Sequence, residues 1–174
     1  MSDNNTIDLE LHQNTMTGPS ALDHLAISNV LSCYCEALDT KNFELLEEVF
    51  VNDVVADYPF NSNLEGVGSV SEAIRNRLGP IRTHHSLTTQ SVVFRGDGKG
   101  ATAATHFVGV HFGQGPHEGK MLSAYGRYLD ELVLLPATEG NLEGVPGASG
   151  IWRIKKRKVV FTQRIGDESI MKEF

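Results

Sequence analysis

The sequence predicts an α+β fold, a cone-shaped α+β barrel with N-terminal helices packed into a strongly curved, mainly antiparallel sheet. Three observations carry this. Three amphipathic helical patterns lie between Ser20 and Pro80. Four long segments rich in Val, Thr, Phe, Tyr and Ile follow, and turn residues separate them. Helices first and strands afterwards make a sheet with one apolar face, which the helices must cover.

Residues 1–17 are polar and without a sustained period, and they precede Gly18-Pro19, so they read as a flexible N-terminal arm. Residues 18–174 are expected to form one domain. Ser20 starts the first helix, with Asp23 as a weaker capping-box partner, and Ile27, Val30, Leu31, Tyr34 and Leu38 form its buried stripe. Asp39 comes one residue after that stripe. A short helix with Phe43, Leu46, Val49 and Phe50 on its apolar side follows. Ser69 and Glu72 make a Ser-x-x-Glu box for a third helix over 70–78, which Gly79-Pro80 stops. Residues 54–58 supply one short strand. The long strands are expected at 83–94, 101–112, 121–134 and 151–161. Asp97-Gly98 turns the first pair, and 136–150 is a Gly/Pro-rich excursion. The glycines of 96–100 superficially echo a dinucleotide fingerprint, but they lead into a strand and offer no helix N-terminus to a phosphate.

Composition narrows the function. The chain has 174 residues, 40% hydrophobic and 21% charged, enough for one core. A net charge of -7 argues against nucleic-acid or anionic-membrane partners. No apolar run is long enough to span a bilayer and no apolar region follows Met1, so a cytoplasmic location is expected. Cys33 and Cys35 point to different sides of a helix and read as reduced residues at the core edge.

Seven histidines are many for this length. His12, His24 and His117 read as surface residues. Strand parity puts Thr83, His85 and Leu87 on one face and His84, Ser86 and Thr88 on the other. On the next strand His106 shares a face with Val108, Val110 and Phe112. That apolar company makes His106 the expected interior histidine, with His111 on the outer side. A buried imidazole needs a partner for its N–H, and Asp39 is a plausible carboxylate or simply a satisfied core group.

From about residue 20 to 167 the chain resembles the SnoaL-like branch of the nuclear-transport-factor-like superfamily, which includes scytalone dehydratase, bile-acid 7α-dehydratase, hexachlorocyclohexane dehydrochlorinase, and polyketide cyclases and isomerases. The carrying stretches are Tyr34-Cys35-Glu36-Ala37-Leu38-Asp39, Phe50-Val51-Asn52-Asp53, Gly66 with the Ser69 helix, Thr83-His84-His85, Tyr125-Gly126-Arg127-Tyr128-Leu129-Asp130, and Gly150-Ile151-Trp152-Arg153-Ile154. The resemblance implies a cone-shaped pocket doing acid–base work without metal or organic cofactor, with Asp39 orienting His85. It also implies pocket roles for Tyr34 and, by strand position, His106. Arg164 and Arg127 are the candidates for a substrate-binding arginine, and Tyr58 and Tyr125 for further lining residues.

Imidazole suits proton removal near neutral pH, a carboxylate fixes its tautomer, and a phenol can donate to a departing hydroxide or an enolate oxygen. The expected activity is a dehydratase or isomerase acting on an apolar, oxygenated cyclic small molecule, of the kind made in secondary metabolism. A cyclase or rearrangement enzyme, and a non-catalytic member binding a ligand or protein, are the alternatives. A metal site from His106, His111, His117 and Glu118 lacks the His-x-His pair and spans two strand faces. Superfamily habit implies homo-oligomers through the outer sheet face, a dimer first and a trimer second, with His84, Thr88 and His111 on that face.

Overall fold

The opening helix carries a complete capping box. The Asp23 backbone N–H donates to Ser20 Oγ at 3.4 Å while the Ser20 backbone N–H donates to Asp23 Oδ2 at 2.7 Å. The computed structural model describes residues 18–137 and 144–171, so the expected arm at 1–17 lies outside the described residues, as do residues 138–143 of the excursion. Helix α1 (Ala21–Thr40) buries Ile27, Leu31, Tyr34 and Leu38, the predicted stripe, and ends on Lys41 in the left-handed region with φ 63°. Asp23 does more than cap. Its carboxylate is buried and accepts from Trp152 Nε1 at 3.0 Å and from the Ser149 backbone N–H at 2.9 Å, tying the last strand to the helix start.

A 3₁₀ turn (Phe43–Leu45) and α2 (Leu46–Val49) lead into strand β1 (Phe50–Tyr58), and β2 (Asn61–Glu65) folds back antiparallel to it. Helix α3 (Val67–Leu78) starts a turn earlier than the Ser-x-x-Glu box predicts. Gly66, at φ 84°, caps it while its N–H reaches the Val54 carbonyl at 2.8 Å. The helix therefore begins where β1 releases the chain, and Ser69 lies inside its first turn.

Strands β3 (Arg82–Phe94), β4 (Gly100–Phe112), β5 (Met121–Leu135) and β6 (Ile151–Gly166) form the expected antiparallel meander. Strand β1 joins β6 in parallel, which gives a mixed six-stranded sheet of order β2-β1-β6-β5-β4-β3 that does not close. The inner face holds α1 and α3 around one hydrophobic core. Register shifts interrupt the ladder at Leu87/Gln90 on β3 and at two places on β6, and such extra residues bend a sheet.

Both thiols are free, and burial pushes the Cys35 thiol up to about 12, as suits an inert core residue. No described helix is long and apolar enough to cross a membrane. His24 is exposed, as expected, but His117 is buried. Its loop folds onto the C-terminal 3₁₀ turn (Glu168–Met171), with the His117 imidazole 3.1 Å from Lys120 Nζ and 3.4 Å from Ser169 Oγ.

Candidate active site

Helix α1 ends beside the start of β3, and this junction builds the polar end of a pocket. Asp39, in the last turn of the helix, accepts the backbone N–H of His85 at 2.7 Å through Oδ2. Its Oδ1 lies 2.7 Å from His85 Nδ1 and accepts from Thr83 Oγ1 at 2.8 Å. Burial would raise the Asp39 carboxyl, but the hydrogen bonds from His85 and Thr83 outweigh it and hold the group at about 2. An ionised acceptor at Oδ1 requires the proton on Nδ1. Nε2, on the far side of the ring, has no hydrogen-bond partner among the described residues and lies over Gly109. A Cβ built on Gly109 would come 3.1 Å from it. Lys41 steadies the junction by donating to Thr83 Oγ1 and to the Leu78 carbonyl, each at 3.0 Å.

The pocket holds about 830 Å³ counting its open mouth. His85 and His111 face each other across its floor with ring centroids 6.3 Å apart. The floor is apolar, with Phe107, Val159 and Phe161, and Leu38, Ile74 and Leu78 come from the helices. Tyr34 and Tyr58 line the wall opposite, and the Tyr34 hydroxyl donates to that of Tyr58 at 3.2 Å. Burial raises both phenols, so both stay protonated.

Beneath the tyrosines sits a fully buried ion pair absent from the sequence reading. Arg157 donates to Asp130 through Nε at 2.7 Å and Nη2 at 2.8 Å. Its guanidinium stacks 4.1 Å from the Tyr34 centroid and 4.5 Å from that of Tyr128. Its Nη1 has no hydrogen-bond partner among the described residues.

The structure brings together Asp39, His85, Tyr34, Tyr58 and Arg164 of the sequence candidates, and it separates three others. His106, Tyr125 and Arg127 are exposed on the outer face. On β4 the inward residues are Thr105, Phe107, Gly109 and His111, while Val108, Val110 and Phe112 are half-buried outside. Apolar company pointed the wrong way because the inner face gives one position to Gly109, under the His85 ring, and another to His111. On β5, His106's neighbour in register, Arg127, shares its outward side, and Tyr128 takes the interior place. His84 and Thr88 are on the outer face as expected, but His111 is not.

His111 is the functional candidate missed by reading the face it shares with Thr105, Phe107 and Gly109 as the outer one. Nδ1 lies 3.2 Å from the Leu122 carbonyl, which can only accept, so the proton is on Nδ1 and Nε2 is an acceptor. Burial first, then the nearby His85, Arg164 and Arg77, bring this imidazole down to about 4 against the pull of that carbonyl. Arg77 on α3, also unforeseen, lines the pocket mouth. Among the described residues no three His, Cys, Asp or Glu side chains gather in a metal-binding group.

Comparison with known proteins agrees with this architecture. Residues 19–158 match the SnoaL-like domain. Solved structures share the fold at low identity. A scytalone dehydratase-like protein from Novosphingobium aromaticivorans is 20% identical, with a TM-score of 0.66 over 85% of this chain and 89% of its own. An aromatic ring hydroxylase-like protein from the same organism is 21% identical, with a TM-score of 0.67 over 87% and 98%. A type 2 hexachlorocyclohexane dehydrochlorinase is 15% identical, with a TM-score of 0.68 over 85% and 93%. No curated protein sequence matches the chain significantly.

Proposed function

The chain belongs to the SnoaL-like domain family, and from that premise we propose that it is an acid–base lyase or isomerase acting on a largely apolar, oxygenated cyclic small molecule without an organic cofactor. One observation carries the reading. An ionised carboxylate holds His85 by its Nδ1 side and leaves Nε2, unpartnered among the described residues, in an apolar pocket. A dehydratase and a dehydrochlorinase among the fold neighbours support elimination chemistry.

In a dehydration His85 Nε2 takes a proton from the carbon next to the one bearing the hydroxyl. The C–H electrons become the new double bond and the C–O bond breaks. Asp39 stabilises the imidazolium, which then gives its proton to the departing hydroxide, so water leaves and neutral His85 is restored. Tyr58, whose oxygen already accepts from Tyr34, finds no acceptor for its own O–H among the described residues, and that O–H would hold the leaving oxygen. His111 Nε2 accepts from a second substrate hydroxyl. In an isomerisation the same proton returns to a different carbon and nothing leaves.

The test is turnover of candidate hydroxylated ring compounds by wild type, Asp39→Asn and His85→Ala, each shown to be folded by circular dichroism. A loss of about 10²-fold or more in both variants is expected. Near-full turnover in both would remove the imidazole from the mechanism.

A further inference from the structure

We infer that the substrate is a monocarboxylate whose acid group is held at Arg77 and Arg164, at the end of the pocket away from His85. This rests on the acid–base reading of the same pocket and adds the substrate class to it.

The chain carries 22 acidic against 15 basic residues, yet among the described residues the pocket wall has two arginines and no carboxylate. Arg164 pairs with Glu168 at 3.3 Å, and Glu168 is mostly in solvent with 55% of its side chain exposed. Arg77 has no carboxylate partner among the described residues. One of its nitrogens donates to the Met171 carbonyl at 3.1 Å. Its guanidinium loses some affinity for its proton, first through burial and then through the charge of Arg164. Among the described residues, these two cations and one exposed anion leave a single positive charge at this end of the pocket, while Arg157 balances Asp130 and the Lys41 ammonium stands by the ionised Asp39 that holds neutral His85. One carboxylate closes that balance, and its two oxygens suit guanidinium donors.

Register sets where the rest of the molecule lies. His85 pairs with Gly109, Gly109 with Ala124, and Ala124 with Arg164, so one cross-strand row runs from the base to the cation. Three strand spacings of about 4.8 Å separate the ends along the sheet. In that row Gly109 lies under the edge of the His85 ring and Ala124 offers only a methyl group, which leaves a shallow bed for a flat ring body beside Phe107 and Phe161. The reacting C–H then lies at the end of the ring system opposite the carboxylate.

Calorimetric titration with two pairs of probes tests this: benzoate against benzamide, and 2-naphthoate against 2-naphthamide. Wild type should prefer at least one acid over its amide by about tenfold, and that preference should weaken with salt. Arg77→Gln and Arg164→Gln should each remove most of it while leaving amide binding unchanged, and Arg77→Lys should keep part. Equal binding of acid and amide, a preference that survives the double glutamine variant, or no binding of either acid would overturn the assignment. Because titration needs no turnover, Asp39→Asn should retain the preference. Loss of dyad-dependent turnover with the preference intact strikes only the catalytic reading, and the converse strikes only this one.

Discussion

Asp39 grips His85 at two points, the backbone N–H and the ring Nδ1, each at 2.7 Å. The same carboxylate thus sets the position of the strand and the tautomer of its imidazole. An amide in its place could keep one contact and would lose the charge that stabilises an imidazolium.

Asp39→Asn should therefore lower kcat by about 10²- to 10⁴-fold while KM changes little, because the loss falls on the transition state. Steady-state kinetics on a turned-over substrate would check it. A loss seen in KM alone would assign Asp39 to substrate binding.

Gly109 matters for the room it leaves. A Cβ there would come 3.0 Å from His85 Cδ2 and 3.1 Å from Nε2, so the ring must give way. Gly109→Val should cut activity by about 10²-fold through a displacement on the order of 1 Å, with the fold retained. Thermal unfolding alongside kinetics separates this from simple destabilisation, and unchanged turnover would contradict it.

The pH dependence of stability separates His111 from Asp39. His111 falls to about 4 in the folded protein from an ordinary 6.5, so the unfolded chain binds more protons between those values. Stability should fall as pH drops through that window, by up to about 3 kcal/mol, and be unaffected by this group above it. Asp39, lowered to about 2 from 3.8, contributes stability that is present above 3.8 and lost as pH falls towards 2. Urea denaturation of His111→Gln should show a flatter profile between pH 6.5 and 4. An unchanged slope there would mean the imidazole is not desolvated.

The Arg157–Asp130 pair should behave as a buried ion pair does. Asp130→Asn leaves a guanidinium uncompensated among three aromatic rings and should cost about 3–5 kcal/mol. Arg157→Met with Asp130→Leu should cost distinctly less than either single change. Chemical denaturation would measure the cycle, and additive losses would count against coupling.

Much of this was legible from the residues. The α1 stripe, the capping Ser20 and the four long strands follow from periodicity, and His85 faces inward as its alternation with Thr83 and Leu87 requires. The β4 face was misread because Val108, Val110 and Phe112 are together more apolar than Thr105, Gly109 and His111, which share the inner face with Phe107. Apolarity marks burial, and a face that must leave room for one imidazole and present another inverts the signal. Arg157 escaped, and Arg164 could be named only through the family resemblance, for a different reason. Alternation on β6 is broken by extra residues at Lys155 and Thr162, so inward positions pass from Ile154 to Arg157 and from Phe161 to Arg164. Nothing in composition marks such a slip. Arg77 is set by the docking of α3, which periodicity places on a helix without saying which neighbour it meets.

Those slips share a feature. At Thr88 and Thr89, Lys155 and Lys156, and Thr162 and Gln163, two successive side chains point outward. Each gives the convex side one residue more than the concave side, like wedges driven into the back of a flexible board. Excising Thr162 would leave Arg164 aimed inward yet flatten the wall that carries it. The dimensions of the chamber are thus stored in the count of unpaired backbone units, and changes in that count would refit it to broader guests without replacing a single reactive group.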